Sequence, residues 1–301
     1  MITIPEEFVT STITREGETG RQWLDDLPQM VADLCSTWGL TIDGPVMHGY
    51  VGIVVPVLQG TLPCVLKVSW IDESSVDDAQ ALALWDGNGA VRVLDVNPSQ
   101  GAMLLERLDY GHSLEDVEIG EAVTVAGQLL RRLAIPAPLD TGLRTEQTVA
   151  AQMMDTMPVH WETYGRPMSR QVLDEACELA RVFRDSSMQT PLLVNYDLTY
   201  EDTLVGTREP WLVIDPKVIV GAPEYGIAQL LWCGLDDMQA TKGLAYYFDM
   251  LVEAGEFDDD LARRWSFVRC VEYWLWGLTV GLTYDPVRCE VIVDWLQTGK
   301  T

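Results

Sequence analysis

The stretch "VNYDLTYEDTL", Val194 to Leu204, is followed after a short turn by "WLVIDPK", Trp211 to Lys217. Together they place three aspartates, Asp197, Asp202 and Asp215, beside short apolar strand patterns. Carboxylates that lie close together raise each other's pKa unless a cation neutralises them. The aspartates therefore indicate either a cation site or a purely structural role, since aspartate often caps turns.

The turn "GTREP", residues 206–210, predicts a β-hairpin between the two strand patterns that flank it. In an antiparallel hairpin, residues at equal distances from the turn pair with each other, so Asp202 should lie opposite Ile214 and Asp215. Asp197 lies in the loop that leads to the same end, and we expect the three carboxylates to converge. Carboxylate oxygens without histidine or thiolate neighbours favour Mg²⁺, Mn²⁺ or Ca²⁺. The pattern indicates a metal and catalytic-base cluster, with the capping of turns and strand ends as an equally weighted alternative.

Composition limits the class of function. The chain of 301 residues has 46 acidic and 20 basic residues, a net charge of -26. This charge argues against binding to nucleic acid or to an anionic membrane surface. It suits a cationic small molecule, and a generally acidic composition of a soluble protein explains it equally well. The N-terminus lacks the pattern of a signal peptide, and the longest uncharged run, Tyr50 to Leu66, is broken by proline and glycine. We therefore expect a cytoplasmic protein.

The chain changes character near residue 109. Residues 1–108 combine an N-terminal helix, strand patterns such as "VGIVVPVL" and "CVLKVSW", and one further helix. Residues 109–301 are dominated by helical periodicity. Helices are predicted at 21–38, 114–134, 144–162, 169–186, 224–235, 238–253 and 258–281. The prediction is an α+β fold with a small sheet lobe, 1–108, and a large helical lobe, 109–301.

Lys67 lies in the middle of the strand "CVLKVSW". A lysine among apolar strand residues needs an anionic partner if it is buried. The next helix carries Asp77 and Asp78, either of which could be that partner. Upstream, "HGYVG" contains Gly49 and Gly52, where the backbone could approach a phosphate. Glycine turn, strand lysine, acidic helix and downstream aspartates follow the order of a kinase-type phosphoryl transferase.

The sequence resembles the family of aminoglycoside 6-phosphotransferases and hydroxyurea-resistance kinases, from about residue 20 to the end. This resemblance implies a protein-kinase-like bilobal fold with a small antiparallel sheet lobe and a mainly helical lobe. It also implies ATP-dependent phosphorylation of a hydroxyl group. The segments that carry the resemblance are "MHGYVGIVVPV", "VLKVSW", "ALWDGNGAVRVL", "MLLERL" and "WLVIDPKVIVGAPEYGIAQLL".

The resemblance assigns roles to five residues. It implies that Asp197 is the catalytic aspartate, and that Asp202 and Asp215 bind Mg²⁺. It further implies that Lys67 holds the phosphates of ATP and that Asp78 is the acidic partner of this lysine.

The resemblance also implies that adenine binds against the connector near Glu106 to Leu108, and that Gly49 and Gly52 belong to the nucleotide site. The acceptor is expected to be a small molecule, for which a cationic amino sugar is one candidate. Its site would lie over the helical lobe, where Glu272, Trp274 and Trp276 could face it, although core packing is the favoured interpretation of these three residues.

The catalytic loop departs from the family's usual His-Gly-Asp-Leu-His-x-x-Asn. Asn195 and Tyr196 replace His-Gly, Thr199 replaces the second His, and Asp202 replaces Asn. Aspartate still offers oxygen ligands, so metal binding should survive. Because of these departures, a catalytically impaired protein that binds a nucleotide or metabolite on the same scaffold stays open as the alternative.

Overall fold

A computed structural model describes residues 2–138, 141–187 and 190–299 of the chain. The chain divides into two compact units. The first comprises Met1–Asp109 and Gly206–Pro210, and the second comprises Tyr110–Val205 and Trp211–Thr301. The turn "GTREP", which was expected in the helical lobe, thus belongs to the first unit.

The first unit is built on an antiparallel sheet. Its elements are α1 (Glu6–Trp38), β1 (Leu40–Ile42), β2 (Met47–His48), β3 (Gly52–Gln59), β4 (Leu62–Ser69), α2 (Glu73–Trp85), β5 (Val93–Asn97) and β6 (Ala102–Glu106). The strand order is β1-β3-β4-β6-β5, with β2 also paired to β3. β3 and β4 form a hairpin, because both are rich in β-branched residues and Gly60 between them adopts a positive φ of 62°.

The core of the first unit joins the sheet to α1. Ile53, Val55 and Leu66 are fully buried, and they belong to one apolar cluster with Leu27 and Leu34 of α1. The helix predicted at 21–38 is therefore confirmed, but it begins earlier, at Glu6, with an interruption at Gly17.

The second unit is mainly helical. Its elements are β7 (Asp109–Ser113), α3 (Ile119–Leu133), β8 (Ile135–Pro136), α4 (Glu146–Thr163), α5 (Arg170–Asp185), β9 (Leu192–Asn195), β10 (Thr203–Val205), β11 (Trp211–Val213), β12 (Val218–Gly221), α6 (Ile227–Ala240), α7 (Leu244–Gly255), α8 (Asp259–Thr279) and α9 (Asp285–Thr298). The strands form two small sheets, β11-β10-β7 and β12-β9-β8. Within the described ranges, no helix combines the length and the apolar character that a membrane span needs.

Several features of the second unit differ from the sequence-based expectation. The strands β7, β8 and β12 and the helix α9 were not predicted. The helix predicted at 114–134 begins only at Ile119, because the chain first makes a 3-10 turn, Leu114–Asp116, that Ser113 caps. The Glu118 carboxylate then accepts the first N–H groups of α3 and starts a new helix. The α+β fold class is confirmed.

Candidate active site

The hairpin of β10 and β11 has the predicted register. Thr203 pairs with Val213, and the N–H of Ile214 donates a 2.8 Å hydrogen bond to the carbonyl oxygen of Asp202. Asp202 and Asp215 therefore flank the same end of the ribbon. Asp215 has a φ of +49°, a left-handed conformation that is uncommon for a residue with a side chain. Such outliers concentrate at functional sites.

The carboxyl group of Asp202 lies in an unfavourable environment for a charge. Burial has the largest effect and, together with the negative charge of Asp215, raises the pKa of Asp202 to about 7. A hydrogen bond from Thr199 lowers this pKa and offsets part of the increase. The Thr199 hydroxyl lies 2.9 Å from Oδ2 of Asp202. Two neighbouring carboxyl groups whose charges disfavour each other suit a divalent cation, which would remove that cost.

The expected convergence of three carboxylates around one ion is wrong. Among the described residues, no group of three histidine, cysteine, aspartate or glutamate side chains is arranged to hold a metal. The carboxylate of Asp197 pairs with a cation of the protein: its Oδ2 lies 2.8 Å from Nζ of Lys217. Its negative charge still contributes to the raised pKa of Asp202. Asp202 and Asp215 remain as a two-carboxylate donor set. This set fits Mg²⁺, which proteins usually bind through one or two carboxylates together with water and phosphate oxygens.

Two neighbours hold Asp197. Its backbone N–H donates to Oδ1 of Asn195 at 3.0 Å, and Lys217 holds its carboxylate. The same strand pairing brings these groups together, since Asn195 lies opposite Val218 and the N–H of Tyr196 donates to the carbonyl oxygen of Lys217 at 2.9 Å. Burial lowers the pKa of Lys217, but the neighbouring acidic groups, Asp197 foremost and then Tyr196 and Asp215, together raise this pKa above its usual value.

Lys217 was not assigned a role from the sequence. Its signal was its position two residues after the predicted metal ligand in "IDPK", in a chain with few lysines. Its contact with Asp197 depends on β12, which was not predicted either.

A cavity of about 290 Å³ opens beside Asp197. Its walls are mainly polar and aromatic, and they come from α4, α6, α8 and the loop that follows β9. The lining residues are Arg144, Val149, Gln152, Met153, Thr156, Tyr196, Asp197, Lys217, Tyr225, Gln229, Arg269, Glu272, Tyr273 and Trp276. Two of the three residues proposed to face an acceptor, Glu272 and Trp276, line this cavity. Only Trp274 follows the core-packing interpretation, with 7% of its surface exposed.

The wall of this cavity contains a buried guanidinium group. Arg269 is 5% exposed, and it donates to the carbonyl oxygens of Tyr196 and Tyr225 at 3.0 and 2.9 Å. Its guanidinium carbon also lies 4.6 Å from the centre of the Tyr225 ring, within the range of a cation–π interaction. Arg269 thus fixes the residue that precedes Asp197. Nothing in the periodicity of α8 distinguishes this arginine from a surface residue.

Two further polar groups shape the cavity. The exposed Arg144 donates from its guanidinium group to the hydroxyl of Tyr196 at 2.9 Å, which holds the Tyr196 ring at the wall. Burial raises the pKa of Glu272, and the positive charges of Arg269 and Arg144 partly offset this effect.

The first unit contains the predicted lysine–aspartate pair. Nζ of Lys67 lies 3.0 Å from Oδ2 of Asp78, and both side chains are largely buried. Lys67 is on β4, between Val54 of β3 and Met103 of β6. Of the two acidic residues that the sequence offered, Asp78 makes this contact.

The glycines of "HGYVG" have a structural reason that the sequence did not reveal. The N–H of Gly49 donates to the carbonyl oxygen of Gly52 at 3.0 Å. A Cβ atom at Gly52 would lie 2.7 Å from the carbonyl oxygen of Val68 and from Oγ of Ser69. Close packing of β3 against β4 therefore already requires a glycine at position 52.

Glu106 and Leu108 lie at the end of β6. The Glu106 carboxylate accepts from the N–H of Arg92 at 2.7 Å and from the guanidinium group of Arg208 at 2.7 and 3.0 Å. The Leu108 side chain is 9% exposed. Because these partners occupy the Glu106 side chain, a ligand at this connector would meet its main chain.

Comparison with known proteins places the chain among kinases. Residues 37–281 match the family described as aminoglycoside/hydroxyurea antibiotic resistance kinase. The chain is 36% identical to a hydroxyurea phosphotransferase of Kitasatospora aureofaciens, over 100% of this chain and 87% of that protein. It is 35% identical to a streptomycin 6-kinase of Streptomyces griseus, over 94% of this chain and 93% of that protein.

Solved structures share the fold at low sequence identity. A thermostable aminoglycoside phosphotransferase mutant, solved with ADP and hygromycin B, aligns with a TM-score of 0.64 at 17% identity, over 89% of this chain and 99% of that one. A choline kinase of Streptococcus pneumoniae aligns with a TM-score of 0.60 at 12% identity, over 90% and 99% of the two chains. These neighbours confirm the predicted protein-kinase-like fold. The chain belongs to the aminoglycoside/hydroxyurea antibiotic resistance kinase family and is a small-molecule phosphotransferase.

Proposed function

We propose that the chain transfers the γ-phosphoryl group of ATP, with Mg²⁺ bound, to a hydroxyl group of a small acceptor in the cavity beside Asp197. The observation that carries the proposal is the position of Asp197, whose carboxylate is held by Lys217 on the wall of that cavity. The named activities of the relatives, and the nucleotide in the solved neighbour, support ATP as the donor.

Asp197 is the proposed catalytic residue. The acceptor oxygen forms a bond to the γ-phosphorus while the bond from that phosphorus to the ADP oxygen breaks. The hydroxyl proton goes to the Asp197 carboxylate late in the transfer, as in other kinases where an aspartate accepts this proton. Asp197 also orients the hydroxyl group before the reaction, which is the larger part of catalysis in this class of reaction.

The remaining predicted site residues receive binding roles. We assign Asp202 and Asp215 to Mg²⁺, which when bound neutralises charge on the phosphates. Lys67, oriented by its ion pair with Asp78, is assigned to the phosphates of the nucleotide.

The connector residues are assigned to the base of the nucleotide. Glu106 and Leu108 would contact it through their main chain, because the Glu106 carboxylate is engaged by Arg208. We assign Gly49 and Gly52 to the phosphates of the nucleotide, because a turn without bulky side chains lets the main chain approach a phosphate closely.

The cavity favours a compact acceptor over a polycation. Two acidic side chains, Asp197 and Glu272, share its wall with three basic ones, Arg144, Lys217 and Arg269. A wall of mixed charge does not attract a polycation, although the chain as a whole carries a charge of -26. The volume of about 290 Å³ lies just below the usual range of ligand pockets, which is about 300–1,000 Å³. We therefore propose a small, uncharged hydroxylated acceptor such as hydroxyurea.

Steady-state phosphorylation assays with a small acceptor panel test this proposal. The purified protein is incubated with ATP and Mg²⁺ and with hydroxyurea, streptomycin or hygromycin B, and phosphorylated products are identified by mass spectrometry. We expect a higher kcat/KM for hydroxyurea than for either aminoglycoside. A preference for streptomycin would overturn the choice of acceptor but keep the phosphotransfer reaction. No product with any acceptor, and no Mg²⁺-dependent ATP hydrolysis, would overturn the proposed function.

A further inference from the structure

We propose that Lys217 is a positioning residue for catalysis: it holds one oxygen of the Asp197 carboxylate and thereby directs the other oxygen at the acceptor hydroxyl. This inference rests on the proposed function, in which Asp197 accepts the hydroxyl proton. The contact that carries it is the 2.8 Å distance between Nζ of Lys217 and Oδ2 of Asp197.

The fold fixes Lys217 in this position through its backbone. β12 begins at Val218, which pairs with Asn195 of β9. The carbonyl oxygen of Lys217 accepts the N–H of Tyr196. Lys217 therefore lies opposite Tyr196, the residue before Asp197. At this end of the strand pair, the side chains of Lys217 and Asp197 are close enough to form their contact.

Both the backbone and the side chain of Asp197 are held. Its backbone N–H donates to the side chain of Asn195, which fixes the loop. Its Oδ2 contacts the ammonium group of Lys217, which fixes the rotation of the carboxylate. Because the ammonium group uses Oδ2, Oδ1 is left for the acceptor. Both side chains line the cavity, so the oriented oxygen belongs to the wall that a bound acceptor would touch.

A purely structural ion pair is the competing explanation. The side chains of Lys217 and Asp197 are 48% and 27% exposed, and partly exposed ion pairs contribute little to stability. If the pair had only that role, its removal would change neither the rate of transfer nor the binding of the acceptor. A base that must be oriented by a third group behaves differently, since a displacement of about 1 Å can cost about 10²-fold in rate.

The test compares Lys217→Met, Lys217→Arg and a matched control, Lys242→Met. Lys242 is an exposed lysine whose ammonium group contacts the hydroxyl of Tyr246 at 3.1 Å, and it does not line the cavity beside Asp197. For each protein, kcat and the KM values for ATP and for the acceptor are measured at saturating Mg²⁺, with circular dichroism and thermal unfolding as folding controls.

We expect Lys217→Met to lower kcat by about 10²-fold and to leave the KM for ATP within about twofold of wild type. Lys217→Arg should retain most of the rate, because it keeps a cation with donors that reach the carboxylate. Lys242→Met should match wild type. A Lys217→Met protein that is folded and turns over at the wild-type rate would overturn the positioning role.

A double-mutant cycle separates action through Asp197 from an independent effect. Transfer from radiolabelled ATP is measured for Asp197→Asn alone and combined with Lys217→Met. If Lys217 works through Asp197, the second substitution costs little once the first is present. A full additional loss of about 10²-fold would contradict the proposal. Absence of transfer in the wild-type protein, to acceptors and to water alike, would instead refute the proposed function and this role with it.

Discussion

Nζ of Lys67 lies 3.0 Å from Oδ2 of Asp78, and only 11% and 7% of the two side chains are exposed. Removing one partner of a buried ion pair leaves an uncompensated charge, which costs about 3–5 kcal/mol. We therefore expect Asp78→Ala to lower the free energy of unfolding by about 3 kcal/mol, and urea denaturation measures this change. A loss of less than about 0.5 kcal/mol would show that the pair is solvated.

Replacing both partners separates stability from nucleotide binding. The double substitution Lys67→Met and Asp78→Leu removes both charges and keeps similar volumes, which is often neutral for stability. We expect this variant to unfold near the wild-type denaturant concentration but to lose about 10²-fold or more in kcat/KM for ATP, the usual loss for an electrostatic contact to the transferred group. Wild-type activity in this variant would contradict the role of Lys67.

The second prediction concerns Asp202. The Asp202→Asn protein keeps a side-chain oxygen that can bind Mg²⁺. It no longer has the electrostatic repulsion between the carboxylates of Asp202 and Asp215. We expect it to retain Mg²⁺-dependent activity within about tenfold of wild type, whereas Asp202→Ala should lose about 10²-fold or more. Titration of activity with Mg²⁺ at fixed ATP measures both. Equal activity of the alanine variant would exclude Asp202 as a metal ligand.

The third prediction concerns the buried guanidinium of Arg269, which bonds the carbonyl oxygens of Tyr196 and Tyr225. Arg269→Ala leaves those buried acceptors without donors, so we expect a loss of about 2–4 kcal/mol in the free energy of unfolding. Arg269→Lys restores the charge but not the planar pair of donors, and it should recover only part of this loss. Chemical denaturation of the two variants provides the comparison. A full recovery by lysine would mean that charge alone matters.

The fourth prediction is a pH dependence of stability. Burial raises the pKa of Glu272 above the usual value of 4.5, so the folded protein binds this proton more tightly than the unfolded chain does. Its contribution to stability is complete below pH 4.5 and is lost as the pH rises through the raised pKa of the folded state. We expect Glu272→Gln to gain stability relative to wild type as the pH is increased from 4.5 to 8, in thermal unfolding experiments. A constant difference across this range would contradict the raised pKa.

Local sequence signals were sufficient for the parts of the site that depend on a short turn or a single strand. The turn "GTREP" fixed the register that sets Asp202 opposite Ile214, since only five residues separate the two strands. The alternation along β4 indicated a buried Lys67, and the adjacent helix offered its partner. These contacts are close in sequence or follow from strand periodicity alone.

Contacts between distant segments were not predictable in the same way. The pair of Lys217 with Asp197 depends on β12 pairing with β9, and no local pattern in "IDPKVIVG" specifies that partner. Arg269 reaches the loop before Asp197 from α8, 73 residues along the chain. The helix α9 was missed because apolar residues also lie outside its buried face: Val287 is exposed, whereas Cys289 and Val293 are buried. The expected three-carboxylate cluster failed for a related reason: the cation that pairs with Asp197 is Lys217, the residue directly before β12, and that strand was not predicted.

A comparison of phosphoryl transfer by the wild-type protein and by Asp197→Ala decides whether Asp197 is the catalytic residue. ³¹P NMR follows a mixture of the protein, ATP, Mg²⁺ and hydroxyurea over time. We expect a new phosphoester signal that grows as ATP is converted to ADP. The rate should fall by about 10³-fold or more in a folded Asp197→Ala protein, because this substitution removes the base that also orients the acceptor. An Asp197→Ala protein that forms the phosphoester at the wild-type rate would exclude Asp197 as the catalytic residue.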